Sequence, residues 1–238
     1  MTTVLIGLDD TDNPTSRGTG WLARQLLKEC TRRGCVPLTV SRHQFPLDER
    51  IAYTTHNSGA CVAVEADDAR AVTFAFDFVA ERSAEGSDPG VCISALDEVP
   101  DAVKAFGRRS AVEVVEQSEA IELARREGVA LRELGGTGLG VIGALGSVGL
   151  RATGNDGRII QLPGLRELPD RVGADAFARL GIRIEHRADR APRPDDIYET
   201  LGWVRPNLVG GEPVLPVEWN EKEHGWLPVE RKRSRPLA

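Results

Sequence analysis

The chain has 238 residues, of which 41% are hydrophobic and 28% charged, and its formal net charge is −6 at pH 7. These values are typical of a globular protein with a hydrophobic core, and the negative charge argues against a general nucleic-acid coat protein, which would be basic. No apolar run reaches the roughly 18 residues of a membrane helix, and the amino terminus lacks the pattern of a secretion signal, so we expect a cytoplasmic protein without a membrane partner. The four cysteines form no Cys-x-x-Cys pair, which favours free thiols over a zinc site or disulfides.

The first apolar run, Val4 to Leu8, predicts a short buried strand, and three carboxylates follow it at once. They belong to Asp9, Asp10 and Asp12, which are separated only by Thr11. Charges this close repel one another, and the usual solutions are a bound Mg2+ or neighbouring basic groups. An Asp-Asn-Pro sequence is also typical of an ordinary turn, but three acids within four residues favour a binding site.

A glycine-flanked hydroxyl follows the acidic loop, at Thr19, and the amphipathic run Leu22 to Cys30 predicts a helix. The order of strand, acidic loop and helix start suits a nucleotide, with metal on the acids and phosphates on the helix amino terminus. We therefore predict that a nucleotide and Mg2+ bind here, and that Asp9, Asp10 and Asp12 are the metal ligands. The other predicted cofactor-binding residues are Thr11, Ser16, Arg17, Gly18 and Gly20.

The pattern then alternates strands and helices up to residue 96, which predicts an α/β layer. The strands are predicted over Val36–Val40, Ala60–Val64 and Val91–Leu96, with a helix that begins at Asp67 or Asp68 and runs to about Arg82. The next helical pattern covers residues 101–128 in two pieces broken near Ser118, and a strand over Ala130–Leu134 follows.

A polar cluster, His56-Asn57-Ser58, precedes the strand at Ala60. It could line a phosphate or base pocket, although a single histidine is as often a surface or structural residue. The sequence leaves both interpretations open.

A glycine block contains the G-x-G-x-x-G pattern of dinucleotide folds at Gly138, Gly140 and Gly143. The acidic residue that such folds need on the next strand is not evident. We therefore favour a helix of small residues that lies close to another backbone.

The last third of the chain changes in composition. A hairpin is predicted between Leu150–Thr153 and Arg158–Leu162, followed by a helix over Ala174–Leu180 and a strand over Ile182–His186. Prolines interrupt every pattern from Pro192 onwards. We expect residues 191–238 to form an extension that wraps a domain or meets a partner, and to end in a basic stretch at 231–235.

Together these motifs resemble the archaeal isoleucine-tRNA agmatinylcytidine synthetase (TiaS) family. The resemblance rests on the acidic Asp9–Asp12 motif, the Thr-Gly before Trp21, the stretch Ile51–Ala60 and the stretch Gly143–Leu145. Members of the family use ATP to phosphorylate a cytidine at the carbonyl carbon of its base, and agmatine then displaces the phosphate.

The resemblance implies roles for individual residues. A threonine that the family phosphorylates falls on Thr19, which would join Asp9, Asp10 and Asp12 as a catalytic residue. The family's Arg-Gly-Asn is replaced by His56-Asn57-Ser58, which would bind the acceptor substrate.

The resemblance covers residues 1–100 well and 130–165 loosely, without the family's OB-fold and zinc ribbon. It implies an α/β fold (α+β layers) with two small lobes. These are a kinase-like α/β domain over residues 1–100 and a ferredoxin-like domain over 101–190, before the extension over 191–238.

The sequence as a whole predicts an Mg-ATP-dependent phosphotransferase or ligase that activates an acceptor, tRNA or a small molecule, by phosphorylation, with a homo-oligomer possible. The alternative is a non-catalytic nucleotide- or RNA-binding regulatory module. A haloacid-dehalogenase-like phosphatase fits less well because Pro14 stands where that motif needs threonine. An EF-hand fails because Trp21 occupies the position of its final glutamate, counted from Asp10.

Overall fold

A computed structural model describes residues 1–51 and 56–229. Within these residues the fold is mixed α/β, with a large and mostly antiparallel sheet of twelve strands. The strands are β1 (Thr2–Asp9), β2 (Val36–Gln44), β3 (Ser58–Ala66), β4 (Gly90–Ala95), β5 (Ala130–Glu133), β6 (Arg158–Gln161), β7 (Arg171–Val172), β8 (Arg183–His186), β9 (Tyr198–Glu199), β10 (Asn207–Val209), β11 (Glu212–Asn220) and β12 (Gly225–Pro228). The helices are α1 (Thr19–Arg32), α2 (Ala75–Arg82), α3 (Asp101–Ser110), α4 (Gln117–Glu127), α5 (Gly140–Ala152) and α6 (Ala174–Arg179).

The strands pair in the order β5-β4-β1-β3-β2-β6-β10-β11-β12-β9-β7, and β8 pairs with β11. In the described sheet, the β8–β11 and β9–β12 pairs are parallel and the other pairs are antiparallel. No helix in the described part of the chain is long and apolar enough to cross a membrane.

Strand β1 lies between two hydrophobic layers, which explains its unbroken apolar run. Val4, Ile6 and Leu8 pack with the buried faces of α1 and α2, and Leu5 packs on the other side with α5. Alternate side chains of a strand point to opposite faces, so a strand covered on both sides needs apolar residues throughout.

Helix α5 lies very close to its neighbours, as the sequence predicted. A Cβ atom added to Gly7 of β1 would lie 2.2 Å from the carbonyl oxygen of Ala144, and one added to Gly90 would lie 2.3 Å from the backbone of Gly140. Real Cβ atoms do not approach a backbone so closely, so these glycines permit the contact. The structure therefore confirms the close-packing interpretation of the glycine block.

Three local predictions need correction. Residues 150–152 are the last turn of α5 and not a strand. The helix continues through Gly149, where it lies against the backbone of Val103; a Cβ added to that glycine would lie 2.3 Å from the Val103 carbonyl oxygen. The break between α3 and α4 lies at residues 111–116, before Ser118. Asp68 caps a short 3-10 turn over Ala69–Val72, and α2 begins only after it.

Residues 191–229 of the predicted carboxy-terminal extension contribute to a hydrophobic core. Trp226 and Tyr198 are almost fully buried and share a core with Phe177 and Ile159. The aromatic side chains of Trp226, Tyr198 and Phe177 supply much of the apolar area of this core. The basic stretch at 231–235 lies outside the described residues.

The hydrophobic clusters also cross the predicted segment limits at residues 100 and 190. Helices α3 to α5 pack with β1, β3 and β4, while residues from β6 to β12 share another core. The division into domains and lobes stays a prediction.

Candidate functional site

The ends of several strands and a helix meet at one edge of the sheet. In the antiparallel register Leu8 of β1 lies opposite Ala60 of β3, and Asp9 lies opposite Gly90 of β4. The end of β1 is therefore flanked by the beginnings of β3 and β4. Helix α5 begins here too, because a Cβ at Gly140 would lie 2.8 Å from the carbonyl oxygen of Asp9.

Asp9 is held against the first turn of α5. Its carboxylate occupies the space beside Gly143, where an added Cβ would overlap the Asp9 Oδ2 atom. The pKa of Asp9 is raised to about 7. Burial is the main cause, the backbone N–H of Asp10 opposes the shift, and the charges of Asp10 and Asp12 contribute to it. The carboxylate thus lies where its own charge is disfavoured and where a cation would be stabilised.

Asp10 combines an unusual backbone conformation with acidic neighbours. Its φ is 54°, in the left-handed region that residues other than glycine rarely adopt. The pKa of Asp10 is raised to about 6, mainly by burial and then by the negative charges of Asp88 and Asp12, while a hydrogen bond from the backbone of Asp88 opposes the shift. Such conformations cluster at functional sites, where surrounding contacts hold them in place.

Asp88 is a fourth carboxylate of the site, which the sequence analysis missed. It comes shortly before β4, and its side chain accepts a hydrogen bond from the backbone N–H of Thr137 in the glycine block. Its position next to a strand start was the available signal. That signal is informative only once the pairing of β1 with β4 is known, because the two strands are far apart in the sequence.

Thr19 is the first residue of α1 and is joined to the acidic loop. The carboxylate Oδ1 of Asp12 accepts hydrogen bonds from the Thr19 backbone N–H at 3.1 Å and from its hydroxyl at 2.8 Å. The Thr19 hydroxyl oxygen in turn accepts from the hydroxyl of Thr11 at 3.1 Å and from its backbone N–H at 3.3 Å. Asp12 therefore supplies the helix cap that Gly18 cannot provide, and it fixes the direction of the Thr19 hydroxyl.

The remaining predicted cofactor-binding residues lie around the start of α1. The Ser16 hydroxyl accepts from the backbone N–H of Asn13 at 2.9 Å and so closes the loop. Arg17 is exposed, with its guanidinium 5.6 Å from the centre of the Trp21 ring. Gly20 packs on β6, where a Cβ would lie 3.1 Å from a methyl group of Ile160. The structure brings these residues to one helix end, and their binding role stays a prediction.

The predicted acceptor-binding cluster lies near the same edge. If the β1–β3 register continued, Ser58 would face Asp10. The Ser58 hydroxyl accepts from the guanidinium of Arg42 at 2.9 Å, and the Asn57 amide donates to the carbonyl of Pro46 at 2.8 Å. These two side chains hold the β2–β3 connection, and His56 is exposed beside them. Residues 52–55 of the matched stretch lie outside the described residues.

The carboxylates of the acidic loop are the candidate donors for a metal ion. Among the described residues, no group of three or more His, Cys, Asp or Glu side chains is arranged to hold a metal by itself. Mg2+ in ATP sites usually takes only one or two carboxylates, because phosphate oxygens and water complete its shell. Asp9 and Asp10, whose charges are forced together, fit that smaller requirement. Asp12, the third predicted ligand, uses its Oδ1 atom to hold Thr19.

Comparison with known proteins confirms the predicted resemblance over part of the chain. No family model matches the sequence. The isoleucine-tRNA 2-agmatinylcytidine synthetase TiaS of Pyrococcus horikoshii is 32% identical over 162 residues, which cover 60% of this chain and 35% of that protein.

Solved structures show the same relationship in the fold. A crystal structure of a tRNA fluorescent labeling enzyme matches with a TM-score of 0.54 and 25% identity, covering 62% of this chain and 36% of that one. The complex of TiaS with an isoleucine tRNA and ATP matches with a TM-score of 0.53 and 24% identity, covering 63% and 36%. The chain thus spans little more than a third of the length of these relatives, and it shares the α/β fold of that part.

Proposed function

We propose that this chain binds ATP with Mg2+ at the acidic loop and is the ATP-using part of a tRNA-modifying ligase or phosphotransferase. The observation that carries the proposal is the meeting of Asp9, Asp10, Asp12 and Asp88 with the amino termini of α1 and α5. Such a place disfavours bare carboxylates and favours a cation together with phosphate groups. The partial identity with TiaS supports the choice of reaction class.

In this proposal Asp9 and Asp10 hold the Mg2+ ion. When bound, the ion would neutralise charge on the transferring phosphoryl group. Backbone N–H groups at Gly18 and Gly20 bind phosphate oxygens at the positive end of α1, and Arg17 adds a charged donor. Thr11 and Ser16 stabilise the loop that places these groups.

Thr19 is the proposed phosphoryl carrier. Its oxygen attacks the terminal phosphorus of ATP, the bond from that phosphorus to the ADP oxygen breaks, and Asp12 accepts the hydroxyl proton. The 2.8 Å hydrogen bond from Thr19 to Asp12 places the base in reach of that proton. The phosphoryl group then passes to the acceptor, a tRNA base or a small molecule, on the side of His56.

Calorimetric titration with a non-hydrolysable ATP analogue tests the nucleotide site. We expect binding that requires Mg2+ and that weakens at least about tenfold in Asp10→Asn. Asp101→Asn is the matched control, because Asp101 is an exposed acid at the start of α3, away from this edge. Equal binding by wild type and Asp10→Asn, or binding without Mg2+ at the same affinity, contradicts the proposal.

A second candidate is a non-catalytic nucleotide- or RNA-binding regulatory module. It is favoured by the burial of Thr19, which is 5% exposed, and by the structural hydrogen bonds of Asn57 and Ser58. Intact-mass measurement after incubation with Mg-ATP separates the two. A phosphate on Thr19 supports the carrier, and tight nucleotide binding without any turnover supports the regulatory module.

A further inference from the structure

A cluster of arginines lies where α1 meets the carboxy-terminal part of the chain. The guanidinium carbons of Arg166 and Arg205 lie 3.9 Å and 4.1 Å from the centre of the Trp203 ring. Arg24 interacts electrostatically with Arg166, and Arg17 interacts with Arg24. The four cations therefore form one connected group, which we call the arginine cluster.

The arginine cluster differs from other surface arginines in its partners. In the described part of the chain, none of the four forms an ion pair within 4 Å, and the nearby acid that interacts with Arg166 is Glu167. By contrast, Arg179 pairs with Asp175, and Arg183 pairs with Glu212. Burial and then the neighbouring guanidinium groups lower the pKa of Arg166, as expected when like charges are held together.

The location of the cluster links it to the acidic loop. Arg17 lies just before the start of α1, and Arg24 lies further along that helix, where its Nε donates to the carbonyl of Gly20. Arg166 belongs to a 3-10 turn after β6, and Arg205 comes shortly before β10. A positive strip thus leads from the proposed nucleotide site across to the carboxy-terminal core, although the chain as a whole is acidic.

Beside Trp203 the surface is concave. A cleft of about 250 Å³ is lined by Trp203, Arg205, Asn207 and Arg158, among others. The cleft combines cationic groups with an aromatic edge and an amide. A planar guanidinium group can donate two hydrogen bonds to one phosphate, and it also stacks on flat rings. This combination suits a nucleic-acid strand better than isolated phosphate ions.

We infer that the arginine cluster and the Trp203 cleft bind an RNA strand, with backbone phosphates on Arg24, Arg166 and Arg205. The choice of RNA over another polyanion rests on the proposed function; the anionic character of the partner follows from the arginine cluster itself. A strand bound there would run toward the acidic loop and would bring an RNA acceptor to the proposed ATP site. Like-charge repulsion within the cluster is relieved when phosphates lie between the guanidinium groups.

Fluorescence anisotropy with a labelled single-stranded RNA tests this inference on the full chain. The test variant is Arg166→Gln with Arg205→Gln, and the matched control is Arg179→Gln with Arg183→Gln, which removes two exposed arginines that have acidic partners. We expect the test variant to bind at least about tenfold more weakly than wild type. Between about 50 and 200 mM KCl, the slope of log K against log [salt] should be less steep for the test variant than for wild type. The expected difference is roughly 1.4, the value for two lost single-strand phosphate contacts.

Further measurements keep the test decisive. A variant with Arg166→Lys and Arg205→Lys retains the charges and should recover most of the affinity. Thermal unfolding checks that each variant is folded. If the double glutamine variant unfolds, Arg205→Gln alone is used because Arg205 is exposed. Equal affinity of the test and control variants overturns the inference, as does the absence of RNA binding by wild type. Competition by inorganic polyphosphate as strongly as by unlabelled RNA overturns the choice of RNA. Calorimetry with the ATP analogue on the same variants reports the proposed function separately.

Discussion

At the scale of single residues, the acidic loop is a place where function and stability oppose each other. The pKa of Asp9 rises to about 7 because burial penalises its charge. A carboxyl whose pKa is higher in the folded than in the unfolded state makes folding less favourable as pH rises, because the unfolded chain releases its proton first. For Asp9 this loss begins near the ordinary aspartate pKa and is complete above about pH 7.

Asp9→Asn should therefore stabilise the protein at neutral and alkaline pH. In the presence of a chelator we expect its melting temperature to exceed that of wild type by at least about 3 °C at about pH 8, equivalent to roughly 1 kcal/mol in a chain of this size. The difference should shrink as the pH falls and should be small at about pH 3, where the carboxyl is mostly protonated in both states of wild type. Thermal scans across this range provide the measurement, and a difference that does not change with pH would contradict the argument.

Thr19 gives a second prediction at this scale. Thr19→Val removes the hydroxyl that joins Asp12 to Thr11, and it leaves those two groups without that partner. We expect a loss of about 1–3 kcal/mol in the free energy of unfolding, and no phosphate on the protein after incubation with Mg-ATP. Thr19→Ser keeps the hydroxyl and should retain most of both properties. Denaturant unfolding and intact-mass measurement check the pair, and a phosphorylated valine variant would exclude Thr19 as carrier.

At the scale of elements, the contacts of α5 decide the shape of the site. The helix lies against the end of β1, so that the Asp9 carboxylate fills the space beside Gly143. A methyl group there would displace the carboxylate or the helix, and a tightly packed core relaxes only partly around such an insertion.

Gly143→Ala should accordingly lower stability by about 1–3 kcal/mol and weaken ATP-analogue binding at least about tenfold. Gly135→Ala is the control within the same glycine block, because its Cβ would meet the Pro89 ring at an ordinary 3.7 Å. Calorimetry and thermal unfolding of both variants test the prediction. If the two variants behave alike, the fit between Asp9 and α5 has no special importance for the site.

At the scale of the whole molecule, sequence patterns predicted the features that are encoded within a few consecutive residues. The apolar run from Val4 to Leu8 predicted β1, and the three acids after it indicated the loop, because both signals lie within a few consecutive residues. The contribution of Asp88 depends on the pairing of distant strands, which no local pattern contains. The burial of Trp226 is likewise absent from any local pattern, since it depends on partners such as Tyr198 and His186, while the prolines around Trp226 indicate only an irregular segment.

A set of hydrogen-bonded polar groups links the first strands of the sheet to the carboxy-terminal core. His43 on β2 is fully buried; its Nδ1 lies 2.8 Å from the carboxylate of Asp156, before β6, and its Nε2 lies 2.8 Å from the hydroxyl of Ser41. The order of groups is that of a hydrolase triad, but Ser41 is also fully buried and no substrate can meet its oxygen. A structural link between β2 and the turn that leads to β6 is the role that this geometry permits.

Asp156→Ala should therefore act on stability and not on nucleotide binding. It leaves the buried Nδ1 of His43 without its acceptor, a change that costs about 1–3 kcal/mol. We expect denaturant unfolding to show that loss relative to wild type, while the ATP analogue binds the folded variant with unchanged affinity. Asp195→Ala, which removes an exposed acid from the carboxy-terminal part, should be nearly neutral in both measurements. Weakened nucleotide binding in Asp156→Ala would instead mean that the connection through His43 holds the acidic loop in place, since β2 and β1 both pair with β3 and could transmit a displacement from one strand to the other.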